Sequence, residues 1–473
     1  MPRRTKIVAT LGPATEDPAV LEEIIRAGVS VVRLNFSHGE AQEHIDRAAA
    51  VRAAADRVGQ DVAVLADLQG PKIRTDRFRD GAVHLEEGGA FCLDAELPAD
   101  EGTREAVGLT YKSLPQDVAA GDTLLLDDGQ IVLRVDSVDG PRIHCRVDLG
   151  GELSNNKGIN RQGGGLSAPA LTDKDRADIE TVAALAADYV AVSFPRSAAD
   201  LDEARELLHA RGSAAGIVAK IERAEAVTAI ESITGAADAV MVARGDLGVE
   251  IGDEELPGVQ KRIITTARTM NRAVITATQM MESMITHPTP TRAEVMDVAN
   301  AVMDGTDAVM LSAETATGAY PVRTVEAMAR ICLGAERQRS TQRSHHRLDS
   351  HFDRIDEAIA MASMYTANHL DVRAIIALTE SGSTPLWMSR ISSGIPIYAL
   401  TQHETTRRRT ALYRGVFPMA FDIMHHDAAM VVLDAVETLK SAGLVTEGEL
   451  VIVTKGDFQG MSGGTNAMKI LRA

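Results

Sequence analysis

Basic charge, cysteine and long apolar runs are all scarce in this chain, and each scarcity removes a class of function. Lysine and arginine number 49 against 67 aspartates and glutamates, a net charge of −18 over 473 residues. So acidic a surface argues against nucleic acid or an anionic membrane as partner, and an anionic substrate would need a local basic pocket. The three cysteines, Cys92, Cys145 and Cys332, lack CxxC or zinc-type spacing and are too few for a disulfide scaffold. A reducing compartment and buried thiols are expected. No apolar run approaches the roughly 20 residues of a membrane span. The opening Met1-Pro-Arg-Arg-Thr-Lys-Ile-Val8 enters a strand pattern without a secretory signal, so a soluble cytoplasmic protein is expected. Also missing are a G-x-x-x-x-G-K-[ST] phosphate loop, an H-E-x-x-H pair and a G-x-S-x-G elbow. Their absence weighs against a Walker nucleotide site, zinc proteolysis and α/β-hydrolase acyl transfer.

What is present is a rhythm. Strand-like apolar runs recur eight times, at residues 6–11, 30–35, 61–67, 189–194, 216–222, 239–244, 273–278 and 307–312. Rich in Val, Ile and Ala, they have the pattern of parallel strands buried on both faces. Helix-like segments follow most of them, as at residues 18–27, 41–57, 200–210, 259–270, 292–303 and 322–336. This predicts an α/β fold, a (β/α)8 TIM barrel over residues 1–69 and 167–340.

The interval 70–166 breaks the rhythm with short strand-like pieces (123–126, 131–135, 143–147) punctuated by Gly88-Gly89, Asp127-Asp-Gly129 and Gly163-Gly-Gly165. It reads as a small inserted β-barrel lid domain, on the loop face where a barrel carries its site. A polar, basic connector from Glu336 to Arg347 leads to a C-terminal α/β domain over 350–473, with a helix at 355–368 and strands at 374–378 and 450–454.

Residues 216–222 and 241–248 carry the strongest chemical signal. A strand alternates faces, so Lys220 and Glu222 share one surface while Ile221 faces the other. Asp246, past the end of the next run, would give a second carboxylate for a hard divalent cation, with a lysine ready for a transferring anion. That set suggests phosphoryl or enolate chemistry. At or just beyond the ends of the eight runs stand Arg33, Asn35, Ser37, Asp67, Ser193, Lys220, Glu222, Asp246, Thr278, Ser312 and Glu314. Singly, each reads as a solvated strand end; together on the rim where barrel enzymes hold catalytic groups, they predict an active site. His345-His346 and His425-His426 lack partners at ligand spacing and read as surface histidines. Arg407-Arg-Arg409 reads as a solvated helical face or an anion contact.

Six segments in order extend the argument: Thr5-Lys-Ile-Val-Ala-Thr-Leu-Gly-Pro13, Val32-Arg-Leu-Asn-Phe-Ser-His-Gly39, Gly216-Ile-Val-Ala-Lys-Ile-Glu222, Ala243-Arg-Gly-Asp-Leu-Gly248, Thr276-Ala-Thr-Gln-Met280 and Asp304-Gly-Thr-Asp-Ala-Val-Met-Leu-Ser-Ala-Glu-Thr315. Along nearly its whole length the chain closely resembles the pyruvate kinase family. The resemblance implies phosphoryl transfer from phosphoenolpyruvate to ADP, giving ATP and pyruvate, with Mg2+ or Mn2+ on Glu222 and Asp246. It implies Lys220 and Arg33 at the transferring group, and the substrate carboxylate on the Gly245 and Asp246 amides and the Thr278 hydroxyl. Thr278, Ser312 and Glu314 resemble a proton relay, and Arg74 and Lys174 resemble nucleotide-phosphate contacts. Rival readings, a phosphoenolpyruvate-using lyase or a silent metabolite sensor, are opposed by Arg33, Lys174 and the lid, and by the intact Lys220, Glu222, Asp246 and Thr278.

One departure is local. Many family members hold potassium with residues matching Asn35, Ser37, Asp67 and the carbonyl at Leu68, with threonine at position 68 and glutamate at the position of Lys72. This chain reads Asp67-Leu-Gln-Gly-Pro-Lys-Ile-Arg74; a Lys72 ammonium in the place of the mobile cation would give activity without K+, the expectation here, whereas a Lys72 turned to solvent would leave the site to fill. In the C-terminal domain, Thr379, Ser381, Ser383 and Thr384 follow a strand and open a helix, which reads as a plain capping turn or, as the resemblance implies, a place for a phosphorylated small-molecule effector. The loop from Gly456 to Thr465 resembles the family's effector loop. A homotetramer follows from the family resemblance alone.

Overall fold

The computed structural model describes residues 2–342, 351–425, 430–457 and 463–473. Strands Lys6–Thr10, Val31–Asn35, Ala63–Asp67, Tyr189–Val192, Gly216–Ile221, Ala239–Ala243, Ala273–Ala277 and Ala308–Leu311 close into one parallel barrel, with Lys6 of the first beside Ala308 of the eighth. Burial on both faces explains the composition. Val32, Val64, Ile217 and Val274 pack in the layer under the helices, while Val8, Leu65, Val218, Met241 and Ile275 fill the barrel interior. Each such side chain contributes roughly 1.5–3 kcal/mol relative to exposure, so polar residues within the strands are few, as Arg33 and Thr276, and the rest gather at or beyond the strand ends.

The helical layer includes Pro18–Arg26, Ala41–Val58, Asp173–Ala184, Ala198–His209, Leu256–Thr269, Arg292–Asp304 and Pro321–Glu336. Arg292–Asp304 begins at a capping box, in which the Thr291 side chain accepts from Glu294 N and Glu294 accepts from Thr291 N. Short helices Ala224–Thr228, Ile230–Ala236 and Arg244–Ile251 follow the fifth and sixth strands. Their sequences run too few turns to show a helical period.

The insert leaves after the third strand. Its six-stranded sheet runs Ile159–Arg161, Thr123–Leu126, Ile131–Asp139, Arg142–Leu149, Ala90–Asp94, Ala106–Gly108, beside a ribbon of Ala82–Leu85 with Gly151–Ser154. The strands curl round a separate core that includes Phe78, Phe91, Leu93, Leu133 and Ile143. Cys145 and Cys332 are buried as expected, but Cys92 is only half-buried, because on its strand it alternates with the core residues Phe91 and Leu93.

The C-terminal sheet orders Val416–Ala420, Ile397–Thr401, Val372–Leu378, Leu450–Gly456, Thr465–Arg472, the last strand antiparallel. It docks beneath the barrel, where Tyr189 and Ala239 share a core with Met388, Leu412 and Tyr413. Of the two readings of the arginine run, a solvated face or an anion contact, the structure overturns the first. Arg408 Nε donates to Asp188 Oδ1 at 2.8 Å, Arg407 Nε to Asp61 Oδ1 at 3.1 Å, and the Arg409 guanidinium lies 5.8 Å from the Tyr189 ring centre. A helical charge pattern looks the same whether its face meets water or the carboxylates of a second domain. His425 is exposed and paired with Asp422; His345, His346, His426 and residues 458–462 of the expected effector loop lie outside the described residues. Among the described residues no helix is long and apolar enough to cross a membrane.

Candidate active site

Five consecutive strand ends are tied together by one chain of contacts. Lys220 Nζ lies 2.9 Å from Glu222 Oε1 and 3.3 Å from Asp67 Oδ1, and donates to Ser193 Oγ at 2.7 Å. Arg33 donates from Nε to Asp67 Oδ2 at 2.6 Å and from Nη1 to Thr10 Oγ1 at 3.1 Å. Ser193 Oγ donates to the Leu68 carbonyl at 2.7 Å, and Phe194 N donates to Glu222 Oε2 at 2.8 Å. Lys220 and Arg33 are therefore largely buried cations held in place on the barrel rim by their partners.

Burial and pairing set the protonation states. Burial alone would raise Asp67, but Lys220 and Arg33 outweigh it and hold the carboxyl below its usual range. Burial likewise opposes the Lys220 ammonium, yet Asp67 and Glu222 raise its pKa. Glu222 is pushed up to about 7, first by burial and further by Asp246, with Lys220 opposing. Asp246 is also raised, by burial and then by Asp128 across the cleft, against the pull of Lys220. Glu222 and Asp246 are thus two hard oxygen donors whose ionisation is penalised by burial and neighbouring carboxylates, which fits a divalent cation. Among the described residues no cluster of three or more His, Cys, Asp or Glu is arranged to hold a metal. A cation on this pair would have to complete its shell with substrate and water oxygens, an open arrangement suited to chemistry.

Helix Arg244–Ile251 starts where the sixth strand ends, so the Gly245 and Asp246 amides lie in a first turn that lacks intrahelical acceptors. Gly245 N donates to Thr278 Oγ1 at 2.9 Å. Glu314, almost fully buried, accepts from Ser312 N at 2.6 Å and Met281 N at 3.1 Å, pinning the loops after the seventh and eighth strands together. Burial raises its pKa against those two amides.

Between rim and insert lies a cleft of ≈ 380 Å³ that includes Ser37, Lys72, Arg74, Lys220, Glu222 and Asp246 in its lining. Lys72 Nζ donates to the Ser37 carbonyl at 3.3 Å, and Asn35 Oδ1 accepts from Ser37 N at 3.1 Å. Arg74 Nη1 donates to the Asn156 carbonyl of the insert. Lys174 is not among the lining residues: its ammonium is held by the Phe36 carbonyl at 2.8 Å and Asp178 at 2.6 Å. The far-side quartet does not join this site. Gly382 N donates to Thr379 Oγ1 at 2.9 Å, Ser381 Oγ and Ser383 Oγ are 3.1 Å apart, and Thr384 Oγ1 is spent on Thr465 Oγ1 at 2.8 Å.

Asp127, Asp128 and Lys157 of the insert and Arg223 and Glu250 of the barrel also line the cleft, and no motif pointed to them. Asp127-Asp-Gly129 marks only a turn in the sequence. The signal that could have found the pair is the left-handed backbone such a turn asks of Asp127 and Asp128, φ +51° and +55°.

Comparison with known proteins agrees with this geometry. Residues 2–325 match the family model described as the pyruvate kinase barrel domain, and residues 357–471 match the one described as the pyruvate kinase alpha/beta domain. The chain is 59% identical to pyruvate kinase II of Salmonella typhimurium, covering 99% of this chain and 98% of that protein. It is 58% identical to the pyruvate kinase of Haemophilus influenzae, with 96% of each covered, and 42% identical to that of Mycobacterium tuberculosis, covering 100% of this chain and 99% of that one. The chain belongs to the pyruvate kinase family of phosphotransferases.

Proposed function

We propose that the Lys220 cleft transfers the phosphoryl group of phosphoenolpyruvate to ADP, with Lys220 and Arg33 neutralising charge on the transferring group. The observation that carries this reading is the Lys220 ammonium, raised in pKa and fixed at the cleft wall by Asp67, Glu222 and Ser193. Phosphoryl transfer depends on positioning and charge neutralisation more than on covalent help from the protein. Glu222 and Asp246 would hold Mg2+ or Mn2+, which when bound supplies further neutralisation at phosphoryl and enolate oxygens. The Gly245 and Asp246 amides and the Thr278 hydroxyl take the substrate carboxylate, which replaces the bonds that Gly245 N makes to Thr278 Oγ1 and Thr278 Oγ1 to the Ala277 carbonyl. Thr278, Ser312 and Glu314 form the relay that protonates the enolate carbon. Arg74, in the cleft, and Lys174, behind it, receive nucleotide phosphates as the insert closes and excludes water.

The finer features are part of the same proposal. Lys72 stands in for a mobile K+ beside Ser37, so the enzyme works without potassium. A phosphorylated effector binds near Ser381 and Ser383, whose hydroxyls are not committed to the protein core. Membership of the family supports assembly into a homotetramer, and a glycolytic role supports a cytoplasmic location.

A coupled assay for pyruvate from phosphoenolpyruvate, ADP and Mg2+ tests the central reading. Activity should require all three and vanish with a chelator, and Lys220→Met should lower kcat by about 10³-fold. Absence of ADP-dependent pyruvate from the parent protein defeats it.

A further inference from the structure

Arg244 is an arginine that the chemistry described so far does not use, yet it is 7% exposed and fully engaged. Its guanidinium donates from Nε to the Ala277 carbonyl at 3.1 Å and from Nη2 to the Thr278 carbonyl at 2.6 Å. Nη1 donates to Asp297 Oδ1 at 2.7 Å, and Nη2 also approaches Met280 Sδ at 2.8 Å. Ala277 ends the seventh strand, and Thr278 and Met280 belong to the turn after it. That turn is strained: Thr278 has φ +65° and Gln279 φ +53°, the left-handed region that a β-branched residue rarely enters.

The two observations explain each other. Along an extended strand successive carbonyls point in opposite directions. One planar fork can grasp the carbonyls of both 277 and 278 only if the chain bends sharply at Thr278. Arginine supplies such a fork; lysine, a point charge, does not. Asp297, on helix Arg292–Asp304, fixes the guanidinium from behind. The bend leaves Thr278 Oγ1 2.9 Å from the Gly245 amide, whereas an extended Thr278 would carry its hydroxyl away.

We propose that Arg244 is a positioning residue for the phosphoryl-transfer reaction: by bracketing two successive carbonyls it imposes the left-handed turn that sets the Thr278 hydroxyl against the Gly245 amide. The inference rests on the assignment of Thr278 and Gly245 to the substrate carboxylate. Strain held by surrounding contacts at a functional site is the general pattern to which this turn conforms.

The test compares Arg244→Gln and Arg244→Lys, each alone and combined with Gln279→Gly, in steady-state assays with phosphoenolpyruvate and ADP varied separately. Both Arg244 variants should lose about 100-fold in kcat/KM for phosphoenolpyruvate with KM for ADP unchanged, the scale set by misplacing a reacting group. Glycine enters the left-handed region without penalty, so Gln279→Gly should leave the parent unaffected and restore about tenfold to either Arg244 variant. A merely structural arginine would show no such rescue. Thr278→Ala combined with Arg244→Lys should be no worse than Thr278→Ala alone. Full activity of Arg244→Lys, a failed rescue or multiplying losses would each overturn the inference. A harmless Thr278→Ala with the rescue intact would instead overturn the role given to the Thr278 hydroxyl, while keeping the turn as what Arg244 sets.

Discussion

Lys72 Nζ stands 3.3 Å from the carbonyl oxygen of Ser37, whose own amide donates to Asn35 Oδ1 at 3.1 Å. Burial, then Arg74 and Lys174, lower the Lys72 pKa, so the charge is held at a cost. Turnover in tetramethylammonium buffer should not respond to added KCl, and Lys72→Glu should create a potassium requirement. Strong potassium activation of the parent protein would show that Lys72 does not replace the ion.

Lys6 offers a pH-dependent stability. Its ammonium donates to the Val416 carbonyl and lies 4.4 Å from the Phe417 ring centre, at the junction of barrel and C-terminal domain. Burial, reinforced by Arg3, lowers its pKa from 10.5 to about 7. Between those values the unfolded chain binds the proton and the folded one does not, so this group's contribution to stability rises with pH through that window. Lys6→Met should raise the melting temperature more at pH 6 than at pH 9. Equal shifts at the two pH values would contradict the assignment.

Arg390 and Asp307 join the C-terminal domain to the root of the eighth strand, Nη1 to Oδ2 at 2.8 Å, each about 1% exposed. Arg390→Met removes the buried carboxylate's ion-pair partner and leaves it only the Val274 and Arg414 amides, a loss of up to about 3–5 kcal/mol. The urea midpoint should fall accordingly, and adding Asp307→Asn should recover part of it. An unchanged midpoint for the single variant would mean that the pair does not hold the domains.

Gly163, Gly164 and Gly165 have φ of +80°, +80° and +94° where the insert rejoins the barrel, and Gly165 N donates to Glu225. A Cβ at Gly164 would sit 2.7 Å from Glu225 Cδ. Gly164→Ala should impair closure of the insert, raising KM for ADP and lowering kcat by roughly tenfold, with little change in melting temperature. Wild-type kinetics would exclude this segment as the hinge.

The eight barrel strands were legible because burial on both faces leaves a compositional mark, and Lys220 with Glu222 because period-two alternation puts both on one face. Asp246 was legible as a charge after an apolar run. The helix that turns its amide into a donor was not, since eight residues show too little periodicity. Arg408 on Asp188, Asp128 facing Asp246, and the Lys174 ammonium held by Phe36 and Asp178 left no local trace.

By itself, then, the sequence determined which elements form and which charged side chains end them, because propensity, alternation and burial act between neighbours along the chain. Only the tertiary structure decided which of those charges meet. The Lys220, Asp67 and Arg33 contacts join residues from three separate strands, and Arg244 reaches a turn over 30 residues away. Such contacts depend on barrel closure and domain docking, which bring together groups that no local pattern relates.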